Sequence, residues 1–265
     1  MASKNMSNIP SIYLAEENLK PATSSWIAAC QEVRQAFESY GCFVAIYDKI
    51  SKELSNSIFQ ILPELFDLPS KIKSQNISDI PYFGYLPPNR SRPLYESMGI
   101  EDATNLQVVQ GFTNLMWPSG NQHFCETFHF YGKKLAEFYE ILCRMVFESY
   151  GVNKCYDFYA ESNTLFLHRV NKYRVPRLDE STVGVSDHTD LDFITILHQN
   201  HVDGLEVKTK DGNWISVQFP PSSFVIMAGE GLRVNSFSSL FNFFFIFLLF
   251  SENGRIGVTG KVVAM

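Results

Sequence analysis

The chain has 265 residues, of which 45% are apolar and 19% are charged. Such a composition excludes wholesale disorder and collagen-like structure. Its 22 basic and 28 acidic side chains give a net charge of −6, which disfavours nucleic acid or an anionic membrane as the main partner. Phenylalanine is unusually frequent, with 23 residues, and seven of them fall between Phe237 and Phe250.

The cysteines and the N-terminus predict a cytoplasmic protein. The five cysteines are odd in number and form no Cys-x-x-Cys pair, so neither a disulfide framework nor a structural zinc site is expected. The first residues contain no apolar run typical of a signal peptide. The most membrane-like stretch, Phe243–Phe250, has eight apolar residues, whereas a membrane span needs roughly 18. We therefore expect no membrane partner.

The first half of the chain is predicted to be mainly helical. Apolar residues three and four positions apart predict a helix that starts near Ser24 and stops at Gly41. A short strand over Cys42–Asp48 comes next, and then an amphipathic helix that Pro63 should kink or break. The same helical spacing predicts a long helix from about Phe124 to Tyr150.

After Gly151 the pattern changes to short strands rich in β-branched and aromatic residues. Turn residues separate them at roughly ten-residue spacing, which is typical of an antiparallel sandwich or barrel. The fold class is therefore α+β with a mainly β core. The predicted strands are Thr164–Tyr173, Phe193–His198, Leu205–Thr209, Trp214–Phe219 and Ser223–Ala228.

One short motif could carry chemistry. His188 and Asp190 stand two apart on an extended segment just before a predicted strand, so both side chains point to the same side. An imidazole and a carboxylate placed in this way supply two-thirds of the 2-His-1-carboxylate triad that holds non-haem Fe(II). Taken alone, the tripeptide favours an ordinary solvated turn over a metal site.

Further motifs in fixed order around this pair give a family resemblance over roughly Ile9 to Val234. The chain resembles the plant Fe(II)- and 2-oxoglutarate-dependent dioxygenases in an Arg-x-Asn-x-Tyr strand, a His-x-Asp motif and the Gly-rich segments that follow. The N-terminal half resembles the family as well. The matching residues are Tyr40–Asp48, Leu65–Lys73, Phe83–Tyr85, Arg169, Asn171, Tyr173, His188, Asp190, Gly204–Val207, Gly212–Trp214 and Gly229–Gly231.

The resemblance implies a double-stranded β-helix, or jelly roll, preceded by a helical N-terminal region. It implies Fe(II) bound by His188 and Asp190, 2-oxoglutarate as co-substrate, ascorbate as reductant and a small-molecule substrate. Asn171 and Tyr173 occupy positions that contact the co-substrate in relatives, although ordinary strand pairing would also explain them. The implied organisation is an N-terminal region over 1–123, a jelly-roll core over 124–234 and an aberrant phenylalanine-rich tail over 235–265.

Two segments are similar to a subgroup of the family tied to glucosinolate side-chain modification in crucifers, namely Asn114–Asn121 and Leu197–Val217. The resemblance therefore implies a role in plant secondary metabolism. Nearby lie four basic residues that could attract an anionic substrate, although such a cluster is more often a solvated strand face. The four are Arg169, Lys172, Arg174 and Arg177.

The sequence departs from the family pattern at its C-terminal end. A second metal histidine should follow the His-x-Asp motif by roughly 50–60 residues, and an Arg-x-Ser motif should follow that histidine to bind the co-substrate. Counting along the pattern places the missing histidine at about Gly260 or Lys261, and no Arg-x-Ser motif is present. The six histidines are His123, His129, His168, His188, His198 and His201.

The break coincides with the phenylalanine-rich window. We interpret Asn235–Phe250 as translated intron or misassigned exon, so that the last jelly-roll strands are missing or replaced and sheet edges are exposed. On this interpretation the family's oxidoreductase activity is impaired. The alternatives are a catalytically inactive binding remnant or mis-spliced product and, less in keeping with the N-terminal motifs, a cupin-like binding protein.

Overall fold

The computed structural model describes residues 9–161, 165–209, 211–233, 243–251 and 259–263. The helices are α1 (Ser24–Tyr40), α2 (Lys52–Phe66), α3 (Ser70–Lys73), α4 (Leu106–Met116), α5 (Gln122–Ser149), α6 (Asn153–Glu161) and α7 (Glu230–Arg233). The strands are β1 (Ser11–Tyr13), β2 (Cys42–Ile46), β3 (Tyr85–Leu86), β4 (Tyr95–Glu101), β5 (Leu165–Tyr173), β6 (Val183–His188), β7 (Ile194–Gln199), β8 (Leu205–Lys208), β9 (Trp214–Ser216), β10 (Ser223–Ala228), β11 (Phe243–Ser251) and β12 (Thr259–Val263).

The predicted long helices are confirmed. Helix α1 begins after Thr23, whose hydroxyl accepts the Trp26 N–H at 3.2 Å, and ends at Gly41 with a φ of 69°. A left-handed conformation of this kind favours glycine, because a Cβ would be strained there. Helix α5 runs for 28 residues and buries its apolar stripe in the main core.

Of the two effects predicted for Pro63, a kink or a break, the break is wrong. Helix α2 continues to Phe66, and the Pro63 carbonyl accepts the Asp67 N–H at 2.9 Å. Proline removes one backbone donor and crowds the carbonyl four residues earlier, but here it lies in the last turn. Burial of Leu62 and Leu65 on either side of it keeps that turn helical.

Two sheets form the β core. The larger has eight strands in the order β1-β2-β10-β7-β11-β5-β4-β3, and the smaller has four in the order β6-β12-β8-β9. This mainly β core behind a helical N-terminal region confirms the predicted fold class. The boundary between 1–123 and 124–234 stays a prediction. Strands of the two ranges belong to one sheet, since β2 pairs with β10 and β4 pairs with β5.

Alternation along the strands explains the two layers of the core. On β10, Phe224 and Ile226 pack into the cluster that contains the long helices, whereas Val225 and Met227 pack with Leu205 and other residues of the smaller sheet. Successive side chains of a strand point to opposite faces. The larger sheet therefore has helices on one face and the smaller sheet on the other.

The tail contributes two strands that are parallel to their neighbours. Strand β11 lies between β5 and β7, and β12 lies between β6 and β8. The expectation of exposed edges at these four strands is therefore wrong, because β11 and β12 pair with them. The first part of the interpreted insertion, residues 235–242, lies outside the described residues, as do 252–258.

All five cysteines are free thiols, and four of them are buried. Of the helices in the described part of the chain, none combines the length and apolarity needed to cross a membrane.

Candidate functional site

A cavity of about 640 Å³ is lined by both sheets and by the turn after β6. This volume falls within the usual range for small-molecule sites, roughly 300–1,000 Å³. The four residues predicted as metal or co-substrate contacts all line it. The lining residues are Tyr82, Leu86, Ser91, Arg92, Tyr95, Arg169, Asn171, Tyr173, Val185, Ser186, His188, Thr189, Asp190, Leu191, Leu197 and Leu205.

Strand β5 presents three polar side chains to this cavity. Arg169, Asn171 and Tyr173 stand two apart, so the pleat places them on one face. Strand β4 pairs with β5 and fixes the amide of Asn171, whose carbonyl oxygen accepts the Tyr95 hydroxyl at 2.9 Å and the Ser97 hydroxyl at 2.6 Å. The amide nitrogen of Asn171 therefore remains as a donor for a ligand.

His188 ends β6 with one ring nitrogen directed at its own strand. Its Nδ1 lies 3.0 Å from the Ser186 carbonyl, and its Nε2 lies 3.5 Å from Asp190 Oδ1. A carbonyl only accepts, so Nδ1 carries the hydrogen and the lone pair of the neutral ring lies on Nε2, beside the carboxylate. The interaction with Asp190 is the main reason that the pKa of His188 is raised.

Asp190 is held from two directions. The Thr195 hydroxyl donates to Oδ2 of Asp190 at 2.6 Å, and the Asp190 backbone carbonyl accepts the Glu230 N–H at 2.8 Å. The turn after β10 thus fixes the position of the carboxylate. Gly229 allows the turn after β10 to lie close to the segment from Asp190 to Asp192. A Cβ on Gly229 would stand 2.1 Å from the Asp192 carbonyl oxygen.

The described residues supply two of the three donors of a facial triad. The pair formed by His188 and Asp190 has the donor chemistry of an Fe(II) site, but the described part of the chain holds no group of three or more His, Cys, Asp or Glu residues suited to a metal ion. The fit to iron is therefore partial. All six histidines lie in the described ranges, so a third imidazole ligand would have to come from one of the other five.

His168 and His198 do not lie at this site. Both are buried, and burial lowers the pKa of each to about 3, so both are neutral at pH 7. His198 lies within β7, with Nδ1 2.6 Å from the Tyr131 hydroxyl. His198 is thus a hydrogen-bonded residue of a buried strand.

The predicted basic cluster does not form one solvated face. Arg169 is only 2% exposed and faces the cavity, whereas Arg174 forms two 2.7 Å contacts with the Glu180 carboxylate.

The sequence did not reveal the roles of Tyr95 and Ser97, whose hydroxyls fix the Asn171 amide. The period-two spacing of these two residues on β4 was a usable signal, but the glycine and methionine that follow obscure the strand pattern.

Comparisons with known proteins agree with this geometry. A family model described as the 2OG-Fe(II) oxygenase superfamily matches residues 165–244, and one described as the N-terminal region of non-haem dioxygenases in morphine synthesis matches residues 9–107. An Arabidopsis thaliana protein named "Probable 2-oxoglutarate-dependent dioxygenase AOP1.2" is 43% identical over 230 residues, which covers 84% of this chain and 70% of that protein.

Two further relatives bear on the site. A second Arabidopsis thaliana protein, named "Probable inactive 2-oxoglutarate-dependent dioxygenase AOP2", is 29% identical over 84% of this chain and 76% of its own length. Among solved structures, the Arabidopsis thaliana dioxygenase for auxin oxidation 1, in a binary complex with 2-oxoglutarate, superposes with a TM-score of 0.75 at 28% identity. That match covers 85% of this chain and 81% of the other.

Proposed function

Because this chain belongs to the 2-oxoglutarate- and Fe(II)-dependent dioxygenases, we propose that its cavity is the family's active site, with His188 and Asp190 as metal ligands and Asn171 and Tyr173 as contacts of 2-oxoglutarate. The single observation that carries the proposal is that all four residues line the same cavity. Fe(II), when bound, supplies the redox chemistry that couples oxidation of 2-oxoglutarate to oxidation of a small-molecule substrate.

The chain's own residues orient the ligands and the co-substrate. The Ser186 carbonyl holds the His188 ring with Nε2 directed to the metal position, and Thr195 holds the Asp190 carboxylate. The Asn171 amide nitrogen donates to the co-substrate. Desolvation raises the pKa of the Tyr173 phenol well above its usual value, so its hydroxyl stays a neutral donor.

We further propose that this site is impaired in the chain as written. Two protein donors hold a divalent cation less firmly than three, since each ligand lost also frees a coordination position to water. A binding remnant that takes the organic ligand without metal is the second candidate, and the partial donor set is the observation that favours it.

The substrate class we propose is a glucosinolate side chain, in plant secondary metabolism and in the cytoplasm. The resemblance of Leu197–Val217 to the crucifer subgroup supports it, because Leu197 and Leu205 of that segment line the cavity. Asn114–Asn121 supports it less, since in this structure that segment joins α4 to α5 and Trp117 packs on Phe124 with ring centroids 4.7 Å apart.

A manganese titration tests the metal site. Mn(II) substitutes for Fe(II) without air oxidation, and its free concentration can be followed by electron paramagnetic resonance. We expect the wild-type chain to bind one Mn(II) weakly. His188→Ala should weaken Mn(II) binding by roughly 10–100-fold or more, because removing only the hydrogen-bond partner of a metal ligand already costs that much. His123→Ala removes a histidine outside the cavity and is the matched control. Equal affinity for the wild type and His188→Ala would contradict the assignment.

A further inference from the structure

Arg169 is a buried cation that faces the proposed active site. Its residue is 2% exposed, yet it lines the cavity on the same face of β5 as Asn171 and Tyr173. Buried charges in proteins are normally paired, because removing an ion from water is costly. The partners of Arg169 therefore indicate whether its role is structural.

The guanidinium is only partly satisfied by protein groups. Nη2 donates to the Ser97 hydroxyl at 2.5 Å, whereas Nη1 is buried without a hydrogen-bond partner among the described residues. Within the same ranges, no carboxylate forms an ion pair with Arg169. Asp190, which also lines the cavity, accepts the Thr195 hydroxyl and lies beside His188.

A second arginine adds positive charge at the cavity. Arg92 also lines the cavity, with its guanidinium 5.6 Å from the centre of the Tyr95 ring. Burial lowers the pKa of Arg169, which remains a cation at neutral pH. An anion entering the cavity would supply a counter-charge for Arg169.

We infer that Arg169 binds an anionic group of the ligand through its buried guanidinium. This inference rests on the proposed function for the identity of the ligand. The group is the distal carboxylate of 2-oxoglutarate or the sulfate of the proposed glucosinolate substrate. The neighbouring Asn171 and Tyr173, both proposed co-substrate contacts, favour the former, and Arg169 then replaces the arginine of the Arg-x-Ser motif that the sequence lacks.

Calorimetric binding to the full chain tests this inference without turnover. The first pair of probes is 2-oxoglutarate and 2-oxopentanoate, which share the keto acid and differ in the distal carboxylate. The second pair, added to protein saturated with 2-oxoglutarate, is a methylsulfinylalkyl glucosinolate and its desulfo form, which lacks the sulfate. The variants are Arg169→Gln, Arg169→Lys and Arg90→Gln. The last removes one positive charge from an exposed residue that does not line the cavity and is the control for long-range electrostatics.

In one of the two pairs, we expect the wild type and Arg90→Gln to bind the compound with the additional anionic group more tightly than its partner, by roughly 10–100-fold. This is the value of a charged hydrogen bond. In Arg169→Gln this preference should fall to about one, while Arg169→Lys retains part of it because it keeps the charge without the fork. Loss in the first pair identifies the distal carboxylate of 2-oxoglutarate, and loss in the second identifies the substrate. A preference that survives in Arg169→Gln, or a wild type without preference in either pair, overturns the inference.

Thermal unfolding separates ligand binding from a structural role. An unpaired buried cation does not stabilise the empty protein, so the Tm of ligand-free Arg169→Gln should stay unchanged or rise. A clear fall in Tm with equal weakening of both members of each pair would show a purely structural arginine. If Arg169→Gln does not fold, that outcome counts against the inference, and Arg169→Lys provides the binding comparison. Adding Mn(II) tests the proposed function separately: if it leaves wild-type affinity for 2-oxoglutarate unchanged, the metal assignment fails while the arginine-dependent preference stands.

Discussion

Placing a histidine at position 262 is expected to strengthen Mn(II) binding by about tenfold or more, the lower end of what one stabilising group contributes to metal affinity. In the smaller sheet, Val262 of β12 is paired with His188 of β6. Residues paired across neighbouring strands share a face of the sheet. The imidazole introduced by Val262→His is therefore expected to join the His188 imidazole and the Asp190 carboxylate as the third donor of a facial triad.

The neighbouring position supplies a matched control. Lys261 pairs with Glu206 of β8 and stands one residue before position 262. Because successive residues of a strand alternate between its two faces, a histidine at 261 is expected on the other face from one at 262. Lys261→His should therefore leave Mn(II) affinity unchanged. Counting along the sequence pattern instead placed the missing histidine at Gly260 or Lys261. Tighter binding by Lys261→His than by Val262→His would show that the counting is right and that the register of β12 is not the one described.

Replacing Gly229 with alanine is expected to lower the free energy of unfolding by about 2–3 kcal/mol, the usual range for an overpacked core position. The added Cβ would stand 2.1 Å from the Asp192 carbonyl oxygen and 2.3 Å from Asp192 Oδ1. Relief requires the turn after β10 to move away from Asp190, whose backbone it holds through the Glu230 N–H. The same variant should therefore also weaken Mn(II) binding.

Urea denaturation measures this effect, and Gly111→Ala is the control. Gly111 lies within α4, where an added Cβ would meet no atom within 4 Å. Alanine there should raise stability by about 0.5–1 kcal/mol, because glycine loses more backbone entropy in a helix. If Gly229→Ala were as stable as Gly111→Ala, the tight approach of Gly229 to Asp192 could not be what fixes the Asp190 carboxylate.

Periodicity predicted the helices that have one apolar face, and α1 and α5 follow from the spacing of their apolar residues. Strands β7 and β10 are buried on both faces, so they follow instead from β-branched and aromatic composition and from the turn residues between them. The prediction at Pro63 failed because a local steric rule was applied without the packing of Leu62 and Leu65. Strand β4 was missed because Gly99, which pairs with Arg169, interrupts its apolar pattern.

The candidate site was predictable in its parts but not in its balance of charges. The spacing of His188 and Asp190, and of Asn171 and Tyr173, already indicated which side chains share a face, and the cavity brings both pairs together. The burial of Arg169 depends on β4 and β5 pairing side by side, which no local pattern reports. The parallel pairing of β12 beside His188 likewise depends on long-range contacts.

The central claim is that this cavity is a dioxygenase site with two of its three metal donors. Succinate release from 2-oxoglutarate by the full chain, with Fe(II), ascorbate and a glucosinolate bearing a methylsulfinylalkyl side chain, tests this claim most directly. We predict little or no succinate above that formed without protein, and an increase in Val262→His. Succinate released by the wild-type chain in stoichiometric proportion to oxidised substrate would contradict the account.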